Sequence, residues 1–187
     1  MAEQIEVFTP CTEEDFDALW QLNHEIFASE LKMRAISGTG RIVDKFHHKN
    51  IYRALRVCDS GKLAGLISAH WQAPYSAAAH FGDEVCAPPK EGKLGEIRLY
   101  ALLAQYRSTT LAAQLAVPLL LELDKNGVSE VIISGISTRK RFYEHLGFKA
   151  AGEPVAEGDT QLYPMRGNLK EILNNCRRAL ERFAAEK

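Results

Sequence analysis

The chain has 187 residues, 46% of them hydrophobic, and no break in composition divides it, so we expect one domain over residues 1–187 with a sizeable core. Twenty-three Lys and Arg stand against 24 Asp and Glu, a balance that gives no global attraction to nucleic acid or to an anionic membrane and points to a small molecule or a protein as partner. The acidic opening "MAEQIEVFTP" carries no signal core and no apolar run nears the roughly 20 residues of a membrane span, so the expectation is a cytoplasmic protein without a membrane span.

Gln4 to Phe8 alternate as a short strand, which Pro10 ends. Thr12 then starts a helix with Asp15 at the capping-box position, and Phe16, Leu19, Trp20, Asn23 and Phe27 follow at near-helical spacing, with Asn23 the polar exception on that face. Around Ile36 to Asn50 the text turns polar and irregular and reads as a loop with at most one helical turn. "YRALRVC" and "LAGLISAHW", joined by "DSGK", read as a β-hairpin. Gln72 to Lys93 holds three prolines and two glycines and is expected to lack regular structure, as a long loop that covers a site or meets a partner.

"LGEIRLYALLA" is a strand, "STTLAAQLAVPLLLELDKNG" a helix stopped by Gly127 and kinked at Pro118, and "VSEVIISGI" a strongly apolar strand. If the two strands are parallel, this β-α-β unit crosses over right-handed. "STRKRFYEHLGF" is a short helix ended by Gly147, and the strands "FKAAGE" and "TQLYPMR" follow around a Gly-Asp turn. The tail "NLKEILNNCRRALERF" is an amphipathic helix that docks on the domain or on a second chain, the latter giving a homodimer.

Four cysteines, Cys11, Cys58, Cys86 and Cys176, form no C-x-x-C pair and are expected as buried reduced thiols. The six histidines, His47 and His48 adjacent among them, show neither H-x-x-x-H nor H-E-x-x-H spacing, so no metal site is expected.

The segment "AQYRSTTLAAQLAVPLL" places a polar turn between an apolar strand and an apolar helix. Unpaired N–H groups at such a helix start stabilise an anion, and Arg107 stands at the mouth of the turn. Ser108 or Thr109 capping the helix without any ligand explains the same residues.

The order of elements, with Arg107 and Ala112 at the first and last positions of a Q/R-x-x-G-x-G/A motif and "RFYEHLGFKAAGE" matching a Tyr-x-x-x-Gly-Phe signature, resembles the GNAT superfamily of N-acetyltransferases. The resemblance covers residues Leu94 to Glu153 best. Thr110 stands where the middle glycine of the motif is usual, so a side chain replaces bare backbone there.

The resemblance implies an α/β (α+β) fold with a mixed, mostly antiparallel twisted sheet flanked by helices, plus the C-terminal amphipathic helix. It places a thioester donor where two neighbouring strands diverge. Ala101, Leu102 and Leu103 would line its pantetheine arm, and backbone amides of Arg107, Ser108, Thr109, Thr110, Leu111 and Ala112 would hold the pyrophosphate of acetyl-CoA or acyl-CoA.

"LWQLNHEIFASELKMR" and "QLYPMRGNL" are similar to segments of two branches, the acyl-homoserine-lactone synthases and the long-chain N-acyl amino acid synthases, whose donors include acyl carrier protein. Asn23 departs from that pattern, where arginine is common.

By resemblance Glu96 is the general base, Tyr143 the general acid beside the sulfur, and Glu30 a contact for the acceptor amine. Partial burial is expected to raise the pKa of Glu96 towards that of a usable base. The plainer alternatives are a surface glutamate paired to Arg98 or a lysine, a core tyrosine, and a solvated helix-end glutamate. Trp71, with Tyr75 and Phe81, either walls an acyl site or packs the long loop against the sheet.

The expected reaction is transfer of an acetyl or longer acyl group from acyl-CoA or acyl carrier protein to a small-molecule primary amine. The alternative is a non-catalytic module of the same fold that binds an acyl thioester or another partner.

Overall fold

A computed structural model describes residues 3–185. The elements run β1 (Ile5–Phe8), α1 (Glu13–His24), β2 (Ile51–Val57), β3 (Leu63–His70), α2 (Ser76–Phe81), β4 (Lys93–Leu102), α3 (Thr109–Lys125), β5 (Val128–Ile136), α4 (Lys140–Leu146), β6 (Lys149–Ala150), β7 (Val155–Glu157), β8 (Thr160–Asn168) and α5 (Leu169–Ala185).

The strands form one sheet in the order β1-β2-β3-β4-β5-β8-β6, with β7 also paired to β8. The β4–β5 pair is parallel and the other pairs are antiparallel. That single parallel pair is the β-α-β unit read from the sequence, with α3 as its crossover.

Alternation along the strands builds two layers. Leu55, Val57, Ile67 and Ala69 face a core shared with α3, α4 and α5, while Tyr52, Ala54 and Leu66 face Leu19 and Trp20 of α1 and Ile26 of the helical turn Glu25–Glu30 that follows it. Strand β3 is buried along its whole length, as a central strand covered on both faces should be. The tail helix docks on the domain: Leu169, Ile172, Leu173 and Cys176 of α5 join the α3 core.

The helix starts obey their local chemistry. Thr12 Oγ1 accepts from Asp15 N at 3.1 Å and Asp15 Oδ2 accepts from Thr12 N at 3.2 Å, the expected capping box. Asn23, the polar exception on α1, is buried and donates to the Ile42 carbonyl at 2.7 Å, tying the following loop to the helix. Gly147 ends α4 at φ +104°, a conformation other residues rarely adopt.

Three expectations need correction. The stretch 72–93 contains α2 and a 3-10 turn at Asp83–Cys86 rather than loop alone. "FKAAGE" is mostly irregular, since only Lys149–Ala150 pair, and the partner across the Gly158-Asp159 turn is β7. Only Cys176 is buried; Cys11 and Cys58 are exposed and Cys86 half-buried, all as free thiols. Helix α3 runs from Thr109 to Lys125 with Pro118 inside it, and packing against β2, β3 and α5 holds both halves in one element despite the missing N–H.

Candidate active site

The parallel pairing of β4 and β5 is short. It runs from Lys93↔Val128 to Glu96↔Ile132, and both strands then continue, to Leu102 and Ile136, without pairing to each other.

A bulge turns β4 away. Ser68 and Leu66 of β3 face Arg98 and Ala101, and Leu99 within that stretch takes φ +52°, strained for a leucine. The strands therefore splay, and the split opens into a cavity of about 640 Å³. Its wall is drawn from β4, β5, the start of α3, α4 and the 31–45 segment.

Glu96 lies in this wall and is 1% exposed, which removes the reading of a surface glutamate. Its carboxylate accepts four hydrogen bonds: from Ser76 N at 2.8 Å, Ala77 N at 2.8 Å, Ser76 Oγ at 2.7 Å and His70 Nε2 at 3.0 Å.

Arg98 Nη1 stands 3.6 Å away. Burial alone pushes the Glu96 pKa up, but the His70 hydrogen bond, the Arg98 charge and the Ser76 bonds outweigh it and hold the group at about 2. The expected upward shift towards a usable base is thus reversed, because every acceptor site of the carboxylate is already occupied.

Arg98 extends the cluster. It donates to Ser76 Oγ and to both oxygens of Asp44, at 2.5 Å from Nη2 and 3.3 Å from Nε. Asp44 also accepts from Phe46 N and Asn50 Nδ2, and although burial opposes ionisation, Arg98 and these bonds keep its pKa below the ordinary value. One buried network therefore joins the 31–45 segment, the end of β3, the start of α2 and β4.

The sequence reading singled out neither Asp44 nor Ser76. Arg98 was legible, because it sits two residues from Glu96 on the same strand face.

Tyr143 reaches the cavity from the opposite face of the sheet. Its ring lies on Gly135 of β5, where an added Cβ would stand 2.9 Å from Tyr143 Cδ2 and 3.0 Å from Met165 Sδ. Burial pushes the phenol pKa up to about 12, so the hydroxyl stays protonated. It makes no hydrogen bond among the described residues and is part of the cavity wall.

The glycine-free turn is both a capped helix start and a rim of the cavity. Ser108 Oγ accepts from Leu111 N at 3.1 Å and Ser108 O from Ala112 N at 3.0 Å. At the first positions of α3, Thr109 and Thr110 have N–H groups with no intrahelical acceptor.

Arg107 is turned inward. Its Nε donates to Leu102 O at 3.0 Å and Nη2 pairs with Glu30, so its guanidinium is already engaged rather than free at the mouth.

Ala101, Leu102, Arg107, Ser108, Thr109 and Ala112 line the cavity. Leu103, Thr110 and Leu111 lie outside that lining, with Leu103 packed under α1. Glu30 is exposed and stands beside the cavity through Arg107. Trp71 packs against the main core, and Tyr75 and Phe81 pack around Leu94 and Ile132, so these aromatics seat the 72–93 stretch on the sheet.

A mixed sheet splayed after the one parallel pair among the described residues, with a cavity in the split and a tyrosine at its edge, is the GNAT-type fold that the sequence resembles. The family model described as acetyltransferase (GNAT) domain matches residues 88–169, which run from just before β4 to the start of α5.

Solved structures share the whole architecture. TofI, in a ternary complex with an inhibitor and MTA, superposes with a TM-score of 0.73 at 14% identity, covering 93% of this chain and 96% of that one. BjaI, a CoA-dependent acyl-homoserine lactone synthase with SAM and isopentyl-CoA, gives 0.73 at 15%, covering 96% and 90%. FeeM, an N-acyl amino acid synthase from uncultured soil microbes, gives 0.70 at 18%, covering 91% and 94%. No curated protein matches the chain in sequence.

Proposed function

We propose that residues 1–187 form one acyltransferase domain that moves an acyl group from a thioester, acyl-CoA or acyl carrier protein, to the primary amine of a small molecule. The observation that carries the reading is the cavity in the strand split with the protonated Tyr143 hydroxyl in its wall.

The residues present fit such a donor. The start of α3 offers the N–H group of Thr109, at the cavity rim, to an anion, and Ala101 and Leu102 face the split. The donor supplies the activated acyl carbonyl and a thiolate leaving group. Tyr143 gives its proton to the departing sulfur and regains one from water.

Glu96, fixed as an anion, holds Ser76, Ala77 and, through Arg98, Asp44 around the amine's side of the cavity. With a pKa of about 2 it is a positioning residue in our reading, and the proton of the attacking amine leaves to water.

Acyl groups longer than acetyl are favoured. Ile26, Phe27, Leu31, Met33, Ile42 and Leu162 give the cavity of about 640 Å³ an apolar lining, which suits a hydrocarbon chain.

The test is thiol release from a panel of acyl thioesters of rising chain length in the presence of candidate amines. Turnover that depends on an amine supports the reading. A second reading, a binding module without catalysis, draws on the engaged Arg107 and the Thr110 side chain. Calorimetric heat from an acyl thioester with no turnover in any pairing would establish it.

A further inference from the structure

We propose that Ser134 is a catalytic residue, its hydroxyl donating a hydrogen bond to the acyl carbonyl oxygen as the amine adds to the carbon. The proposal rests on the acyl-transfer reading and assigns one more group within the same cavity.

Three buried polar side-chain atoms have no hydrogen-bond partner among the described residues: Asn50 Oδ1, His70 Nδ1 and Ser134 Oγ. Of their residues, Ser134 alone belongs to the cavity wall. A hydroxyl left buried without a partner lowers stability, and its retention at a cavity wall points to a partner that arrives from outside the chain. Its cross-strand neighbour on β8 is Pro164, which has no N–H to offer.

The position on β5 says which part of the donor it meets. Ser134 lies two residues beyond Ile132, the last partner of β4, so strand alternation directs its side chain to the face of Ile132, opposite that of Gly135. Gly135 is where the Tyr143 ring rests, on the face of α3 and α4.

The two hydroxyls thus flank β5, one on each face of the sheet, at the point where the strands have parted. A thioester threaded through the split from the start of α3 presents its sulfur to Tyr143 first and its carbonyl to Ser134 next.

The step balances. The amine nitrogen pair forms the C–N bond as the C=O π pair moves onto oxygen, where the Ser134 O–H holds it. The pair returns, the C–S bond breaks, the sulfur takes the Tyr143 proton, and the nitrogen proton leaves to water. The products are an amide and a thiol.

The test uses the full chain with Ser134→Ala and Ser134→Thr. For Ser134→Ala we expect kcat/KM to fall by about a hundredfold, the scale of one lost oxyanion donor. Its Tm should equal or exceed that of the wild type, because no hydrogen bond inside the protein is lost. Ser134→Thr keeps the hydroxyl and should recover most of the rate, and all three proteins should bind a non-reactive thioether analogue of the donor alike.

A loss for Ser134→Ala below about tenfold, short of what such a donor supplies, overturns the proposal. So does a rate loss that tracks a fallen Tm and is not rescued by threonine, which marks a structural role. Wild-type turnover beside an equally active Ser134→Ala removes Ser134 alone, whereas a wild type that turns over no acyl thioester removes the acyl-transfer reading and this role together.

Discussion

Glu96 and Tyr143 sit in one cavity with opposite protonation, and each protonation state follows from its contacts. Tyr143 is buried without a compensating partner, so it keeps its proton to about 12. Tyr143→Phe should lower kcat by roughly 10²- to 10⁴-fold, with Tm little changed, because the ring packing stays and only an unbonded hydroxyl goes. The wild-type rate should show no descending limb from this group between neutrality and pH 10.

Glu96 is held at about 2, below its ordinary 4.5. A depressed carboxylate adds stability that is complete above the unfolded value and lost as pH falls from there towards 2. Acid titration of Tm should therefore show a decline over that window which is shallower in Glu96→Gln. That variant should also be less stable at neutral pH by about 1–3 kcal/mol, since an amide N–H₂ must face a donor it cannot satisfy. Asp44 depresses in the same direction and leaves a residual slope in the variant.

At the scale of elements, the long periodic pieces were legible and the short ones were not. The hydrophobic run ending at Gly127 and the "FYEHLGF" stop identify α3 and α4 because their signals are local. Helix α2 is six residues among prolines and glycines, and its first N–H groups are satisfied by Glu96, twenty residues on, a partner no local window contains. The site behaves likewise. Glu96 and Tyr143 stand out by motif, whereas the carboxylate's environment is assembled from residues 44, 70, 76 and 98, which only the fold brings together.

Gly135 shows the same dependence, being unremarked in the sequence yet required by the close approach of Tyr143. Gly135→Ala should displace the Tyr143 ring. We expect a loss of kcat larger than the change in KM for the amine, measured by steady-state kinetics, with a Tm drop reflecting overpacking of about 1–3 kcal/mol.

For the whole molecule, the sheet and its covering helices set how much acyl chain can be held. With an apolar wall built from Ile26 and Phe27 just after α1, the 31–45 segment and β8, each added methylene that enters contributes about 0.8 kcal/mol of burial. KM for the donor should thus fall stepwise with acyl length and then level off once the chain fills the cavity. A minimum at acetyl would contradict the lining described.

The short β4–β5 seam has a further consequence for how the protein moves. Two antiparallel blocks, β1 to β4 and β5 to β8, meet along that ladder, and the amides of Ile97–Leu102 and Ile133–Ile136 have no strand partner across the split. Under deuterium exchange this line is where the sheet should open first, and an acyl thioester seated in it acts as a rivet. Its protection should appear on both banks together, so that one bound molecule slows exchange in segments separated by thirty residues of chain.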